Sequence, residues 1–119
     1  MRDDTKVISF TIAAGASQSK ELDVEGCSML ALEIPSAWTT AAITFLAASA
    51  PGGTFLPIYD DGGTELTVAA DKVGTSRMVS LAALVDKLAP FRWIKVRSGV
   101  EATPVNQVAE RALKLIGKV

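Results

Sequence analysis

Short alternating segments separated by turn residues constrain the fold of this chain more than any other feature of its sequence. In residues 43–68, "ITFLAASAPGGTFLPIYDDGGTELTV", apolar residues alternate with small or polar ones, and two glycine pairs interrupt the pattern. A period of two places successive side chains on opposite faces of a β-strand, and Asp-Gly favours the turns that join hairpins. This stretch therefore predicts a β-meander.

The same alternation recurs along the chain and predicts about eight strands. The segments with this character are residues 6–13, 20–24, 27–34, 42–49, 55–60, 64–69, 76–81 and 91–99. Pro57 cannot donate a ladder hydrogen bond, so we expect its strand at a sheet edge. Leucines at helical spacing in residues 81–90 predict one or two turns of helix before Pro90. Turn residues, such as Glu25-Gly26, separate the strands.

These signals predict one all-β domain over residues 1–119, an antiparallel β-sandwich or jelly-roll-like fold with at most one or two short helices. Apolar residues make up 49% of the chain and charged residues 21%, which favours a packed core over disorder. Residues 1–6 could form a flexible N-terminal arm. The opening "MRDDTKVISF" has acids where a secretion signal needs basic residues, so we expect synthesis and folding in the cytosol.

The composition argues against most catalytic and nucleic-acid-binding classes. The chain has no histidine, which removes the commonest general base and metal ligand. Cys27 is the one cysteine, so an internal disulfide is impossible. A net charge of −1 gives no strongly basic surface for nucleic acid. With no catalytic triad, metal motif or phosphate loop either, we expect no enzyme activity and no cofactor.

The adjacent carboxylates Asp60 and Asp61 fit a turn better than a calcium site. A calcium loop places its acidic ligands at alternate positions and ends them with a glutamate, whereas these two precede Gly62-Gly63.

Four large or basic side chains are candidates for a partner interface. Trp38 follows Pro35 in a loop, where it could pack, meet a protein partner or stack on a sugar. Arg92, Lys95 and Arg97 place basic groups on both faces of one strand. They form either a solvated strand face paired to acids or a partner-facing patch, since arginine is enriched at interfaces.

The C-terminal residues 104–118 fit two structures. Thr-Pro followed by apolar residues at helical spacing favours a helix. The segment "RALKLIGKV" also alternates with a period of two, which favours a strand.

Several segments resemble small virion proteins encoded among the head genes of tailed bacteriophages. The residues that carry the resemblance are Trp38-Thr39, residues 43–45, Gly53-Thr54-Phe55, Tyr59-Asp60, residues 94–99 and residues 104–107. It covers about 80 residues, from Pro35 onward. It implies a capsid decoration or cement protein that binds the major capsid lattice, with Asn106 and Gln107 as further interface candidates. It implies symmetric homo-oligomers as well. The longest run without a charge, residues 34–59, is interrupted by prolines and glycines, so we expect no membrane span, and the balanced charge predicts no nucleic-acid partner.

The order "ITF…GGTF…Y…G…RWIKVRSG" also looks like the galactose-binding-like β-sandwich of discoidin-type domains. That resemblance implies a turn or short helix at residues 104–109 and a closing strand at residues 112–118. It also raises an alternative function, a carbohydrate-binding module for host attachment. A tail or head-tail connector component is the third hypothesis. A mean hydropathy of +0.31 suits a chain that buries surface in an assembly on the virion.

Overall fold

In the computed structural model, which describes residues 4–25, 27–70 and 76–119, the chain forms two antiparallel sheets. The strands of this part are β1 (Thr5–Ile12), β2 (Leu22–Asp23), β3 (Ser28–Ile34), β4 (Ile43–Ala48), β5 (Leu56–Pro57), β6 (Thr67–Val68), β7 (Arg77–Ser80), β8 (Trp93–Ser98) and β9 (Arg111–Lys118). A 3-10 turn at Ala82–Leu84 continues into the short helix α1 (Val85–Leu88). The predicted all-β antiparallel sandwich, with its one or two turns of helix before Pro90, is confirmed.

The strands are divided between a four-stranded and a five-stranded sheet. Sheet A has the order β1-β9-β3-β7. Sheet B has the order β2-β8-β4-β5, and β6 pairs with β4 beside β5. β5 therefore lies at a sheet edge, as Pro57 predicted.

The core lies between the two sheets and follows the alternation of the sequence. In β1, Phe10 and Ile12 are buried, whereas Val7, Ser9 and Thr11 are exposed. Burying a large aliphatic or aromatic side chain contributes about 1.5–3 kcal/mol. The fully buried large apolar side chains are Phe45, Ile12, Met29, Leu32, Ile34, Ile43, Leu81, Leu88, Ile94, Leu113 and Leu115.

Strand β3 departs from the clean alternation that the sequence predicts, because it contains a bulge. The pattern places Met29 on the same face as Ala31 and Glu33, but the register against β9 shifts between Met29 and Ala31. Leu30 is the extra residue, and a bulge of one residue reverses the faces on its two sides. Met29 consequently joins the core with 2% exposure.

A glycine opposite the bulge allows this close approach of the two strands. Gly117 of β9 pairs with Met29, and a Cβ at Gly117 would overlap the Ser28 carbonyl oxygen and the Cys27 Sγ. Any side chain there would force β3 and β9 apart.

The C-terminal segment is a strand, and residues 104–109 contain no helix. The predicted closing strand is confirmed as β9, which pairs with β1 on one side and β3 on the other. Thr5 and Lys6 belong to β1, so the predicted N-terminal arm does not include them. Residues 1–3 and Gly26 of the predicted turn lie outside the described residues.

A hairpin interrupts the edge of sheet B between β5 and β6. Ile58 N–H donates to the Phe45 carbonyl at 3.0 Å, and Leu66 N–H donates to the Ile58 carbonyl at 3.0 Å. The intervening chain leaves the sheet and returns, and we call it the β5–β6 hairpin (residues 58–66). Its turn is the one predicted at Asp60-Asp61: the amides of Gly62 and Thr64 both donate to Asp60 Oδ1 at 2.9 Å.

Candidate interaction surface

The outer face of sheet B is covered by the chain itself. Strand β4 is buried on both faces. Its alternate residues Ile43, Phe45 and Ala47 belong to the core. The residues between them point outward and are nevertheless at most 8% exposed: Thr44, Leu46 and Ala48. Little of the part of this face that β4 forms is available to a partner.

Arg97 lies at the centre of that covered face, so it does not form part of an exposed basic patch. Its side chain is 5% exposed and pairs with Glu65, which the β5–β6 hairpin carries over the sheet. Arg97 Nε also donates to Thr44 Oγ1 at 2.9 Å. Thr44 Oγ1 donates in turn to the Gly99 carbonyl at 2.7 Å. A buried, hydrogen-bonded ion pair of this kind holds the hairpin in place, because losing one partner leaves an uncompensated charge.

Further hydrogen bonds fasten the hairpin to the loop after β8. The Glu101 amide donates to both carboxylate oxygens of Glu65 at 3.2 Å, and Tyr59 Oη donates to Glu101 Oε1 at 2.6 Å. The hydrogen bond to Glu101 raises the pKa of Tyr59 above its usual value, because it stabilises the neutral phenol.

Two other predicted interface residues, Trp38 and Gln107, are also internal. Trp38 is 3% exposed, and its Nε1 donates to the Ala41 carbonyl at 3.1 Å. Gln107 is fully buried: its Oε1 accepts from the Thr39 amide at 2.8 Å, and its Nε2 donates to Ser98 Oγ at 2.8 Å. Packing was one of the roles that the sequence allowed for Trp38, and Gln107 was implied as an interface residue. In the structure the polar atoms of both side chains bond within the domain.

The remaining predicted interface residues are wholly or partly accessible. Arg92 is exposed, contacts Asp23 at 3.1 Å and Glu25 at 2.8 Å, and lies 4.8 Å from the centroid of the Trp93 ring. The hydrogen bond from Arg92 lowers the pKa of Asp23, since it stabilises the carboxylate. Of the two interpretations of the basic residues, the solvated strand face paired to acids therefore fits Arg92.

Lys95 is half-buried, with its Nζ 4.6 Å from the centroid of the Phe55 ring. Asn106 is exposed. A partner-contacting role for Arg92, Lys95 and Asn106 stays a prediction.

The outer face of sheet A, by contrast, is covered by none of the residues that the structure describes, and we call this surface the A-face. The register places four residues in one row across the strands: Val7, Ile116, Ala31 and Ser80. A second row holds Ser9, Lys114, Glu33 and Met78. Val7 is 52% and Met78 is 55% exposed. The A-face thus carries small, apolar and charged side chains that are wholly or partly open to solvent.

The charges on the A-face are weakly engaged. Lys114 Nζ lies 4.0 Å from Glu33 Oε2, and both side chains are roughly half exposed. An exposed pair at this distance contributes little to stability, about 0–1 kcal/mol. The pair can therefore be covered or exchanged by a partner at small cost to the fold.

A depression of about 750 Å³ lies on the sheet B side, between β5 and the segment before β8, and Ala48 at the end of β4 is in its lining. Residues with large side chains in its lining are Leu56, Ile58, Tyr59, Phe91, Arg92 and Trp93. Leu56 and Tyr59 are exposed. This depression is a second surface on which apolar or aromatic contacts could form.

Neither a metal centre nor a membrane-spanning helix is found in the described ranges. Their cysteine, aspartate and glutamate side chains form no group of three that could hold a metal ion. No helix there is long and apolar enough to cross a membrane.

Sequence reasoning missed the A-face, although one signal pointed to it. The exposed side of β1 carries Val7, Ser9 and Thr11 in place of the charged residues that usually occupy a solvated strand face. The row that joins Val7 to Ile116 and Ala31 depends on strand register, which alternation alone does not define.

Comparisons with known proteins give a fold but no family. No protein-family model matches the chain, and no curated protein matches it in sequence. One solved structure that it resembles is the crystal structure of the SPBc2 prophage-derived protein YomS. The two share a TM-score of 0.53 and 15% sequence identity over 100% of this chain and 98% of that one. At this identity the similarity shows a shared fold alone.

Proposed function

We propose that this chain is a structural protein of a bacteriophage virion, most simply a head decoration protein that binds the major capsid protein lattice. The observation that carries the proposal is the A-face, which no described residue covers, whereas the outward residues of β4 in sheet B are buried. Decoration works by burying surface between neighbouring subunits, and it needs no catalytic group.

Two further observations support the proposal. The fold resembles that of a prophage-derived protein along the whole chain. The charged residues that the register places on the A-face are Lys114, Lys118 and Glu33, so its net charge is small and it suits a partner surface of mixed small and polar residues. The discoidin-like resemblance of the sequence remains a prediction.

Quantitative mass spectrometry of purified virions tests this function and separates it from the connector hypothesis. A decoration protein is expected at every equivalent capsid subunit or lattice axis, so its copy number follows the number of those positions on the shell. A connector forms one ring at a single vertex, so its copy number equals the ring symmetry. Absence of the chain from purified particles would reject both.

Carbohydrate binding is a second candidate, supported by the aromatic lining of the depression around Tyr59 and Trp93. Trp38 does not support this candidate, since its side chain is buried. A glycan array with the wild-type domain and the Tyr59→Ala variant is the test. Binding that is lost in the variant supports this candidate, and no binding to any glycan rejects it.

A further inference from the structure

Strand β1 provides an open edge in sheet A at its middle residues, because the Ile12–Ser19 bridge brings residues 19–22 beside its end. Within the described residues, its ladder partner is β9, and a single bridge joins its last residue, Ile12, to Ser19. β1 has eight residues, no proline and one charged residue, Lys6. The other edge strands of the described residues are shorter, namely β2, β5 and β6 with two residues each and β7 with four. Proteins usually protect long edges with charges, bulges or proline, and β1 has little of this protection.

The hydrogen-bond pattern shows which backbone groups of this edge are available. The Val119 amide donates to the Asp4 carbonyl at 2.9 Å, so residues 4 and 119 form a hydrogen-bonded pair. Such pairs alternate along an antiparallel ladder. In the register of β1 with β9, residues 6, 8 and 10 are therefore bonded to β9. Val7 and Ser9 point their amides and carbonyls away from it, towards the open edge.

We propose that β1 pairs antiparallel with β1 of a second copy of this chain, around a two-fold axis at Ile8. In this register Val7 lies opposite Ser9 of the second copy, and the amides and carbonyls of these two residues form four intermolecular hydrogen bonds. The two A sheets join into one eight-stranded sheet. The inference does not depend on the virion role.

A second copy satisfies this edge because the edge is complementary to itself. The two Ile8 side chains meet at the axis as a non-hydrogen-bonded pair, the arrangement in which cross-strand side chains lie closest. Ile8 is partly buried against the core, so the contact covers its remaining surface. Lys6 lies opposite Phe10 of the second copy, and therefore no like charges face each other.

Pairing also gives the A-face the area that a stable interface needs. Strand spacing and rise give the A-face of one copy roughly 400–500 Å². That is about half of the roughly 800 Å² per partner in a standard interface. Two A-faces on the same side of a joined sheet reach that size.

Sedimentation velocity of the full chain, at concentrations up to about 1 mM, tests the pairing, because a complex with a millimolar Kd is then substantially populated. We expect a concentration-dependent dimer. Ser9→Pro should abolish it, since proline removes an amide that β9 does not use. Ser9→Ala keeps that amide and should leave the dimer unchanged. A wild-type chain that stays monomeric throughout, or a folded Ser9→Pro variant that dimerises like Ser9→Ala, would overturn the proposal.

Two double variants test the register independently of how well proline is tolerated. Val7→Lys with Ser9→Glu places opposite charges across the axis twice, whereas Val7→Lys with Ser9→Lys places like charges there. The dimer Kd of the second variant should be at least about tenfold higher. Equal Kd values would exclude the register centred on Ile8.

Discussion

The outer faces of the two sheets are built in opposite ways. Over sheet B, the β5–β6 hairpin carries Glu65 onto Arg97, and even the outward residues of β4 are buried. Over sheet A, nothing in the described part of the chain covers Val7 or Met78. The stability of the fold therefore depends on contacts at the outer face of sheet B. Residues on the outer face of sheet A can change without loss of the fold. A surface that the fold does not use is where selection for a partner can act.

Arg97→Met tests the sealed face and should have the largest effect. It leaves Glu65 with an unpaired charge at a side-chain exposure of 12%. We expect a loss of about 3–5 kcal/mol in the free energy of unfolding, measured by urea denaturation. The matched control is Lys114→Met, which breaks the exposed pair on the A-face and should cost about 1 kcal/mol or less. Equal losses in the two variants would contradict the contrast between the faces.

Truncation of outward apolar residues compares the two faces directly. Leu46→Ala on sheet B removes a side chain that is 5% exposed, so we expect a loss of about 2–5 kcal/mol. Val7→Ala on the A-face should change the free energy of unfolding by about 0.5 kcal/mol or less. Urea denaturation of the monomer measures both. A Val7 variant as unstable as the Leu46 variant would show that the A-face is part of the core.

Gly117→Ala probes the packing between β3 and β9, which is close although no described residue covers the outer face of sheet A. The added methyl group would overlap Ser28 and Cys27 at the bulge. We expect a loss of about 1–3 kcal/mol from overpacking. Gly62→Ala is the control, because a Cβ there meets only Asp60 Oδ1, at 3.3 Å. In thermal unfolding, the Tm of the Gly62 variant should be closer to the wild-type Tm than that of the Gly117 variant. A lower Tm for the Gly62 variant would refute the close approach of β3 and β9 at the bulge.

The smallest expected effect is a pH dependence of stability from the Tyr59–Glu101 hydrogen bond beside sheet B. Because the folded pKa of Tyr59 is raised, its contribution to stability is present below the unfolded tyrosine pKa of about 10 and is lost as the pH rises through the folded value. Tyr59 is the one tyrosine of the chain, so tyrosinate absorbance reports it alone. Glu101→Gln should lower the measured pKa. An unchanged titration in that variant would exclude the hydrogen bond as the cause.

The sequence predicted elements whose signals are local. β1, the Asp60-Asp61 turn and the edge position of Pro57 follow from alternation and turn chemistry, and the structure contains all three. The bulge at Leu30 was not predicted, because nothing in "SMLALEI" indicates the shift in register against β9.

The site predictions were weaker because they depended on contacts between distant segments. Arg97 alternates like a solvated residue, but Glu65, 32 positions earlier, is brought over it by a hairpin that leaves the sheet. Gln107 carried no signal of its own; it is buried because its amide joins Thr39 to Ser98. Val7 and Ile116 form a row only once strand register is known.

Cryo-electron microscopy of purified heads tests the central claim, that this domain adheres to neighbours through the A-face. The account predicts density for the chain on the shell, with Val7, Ile116 and Met78 turned towards the major capsid protein. It also predicts the β5–β6 hairpin away from that contact. Shells without this chain, or copies that touch the lattice through the hairpin while the A-face lies in solvent, would contradict it.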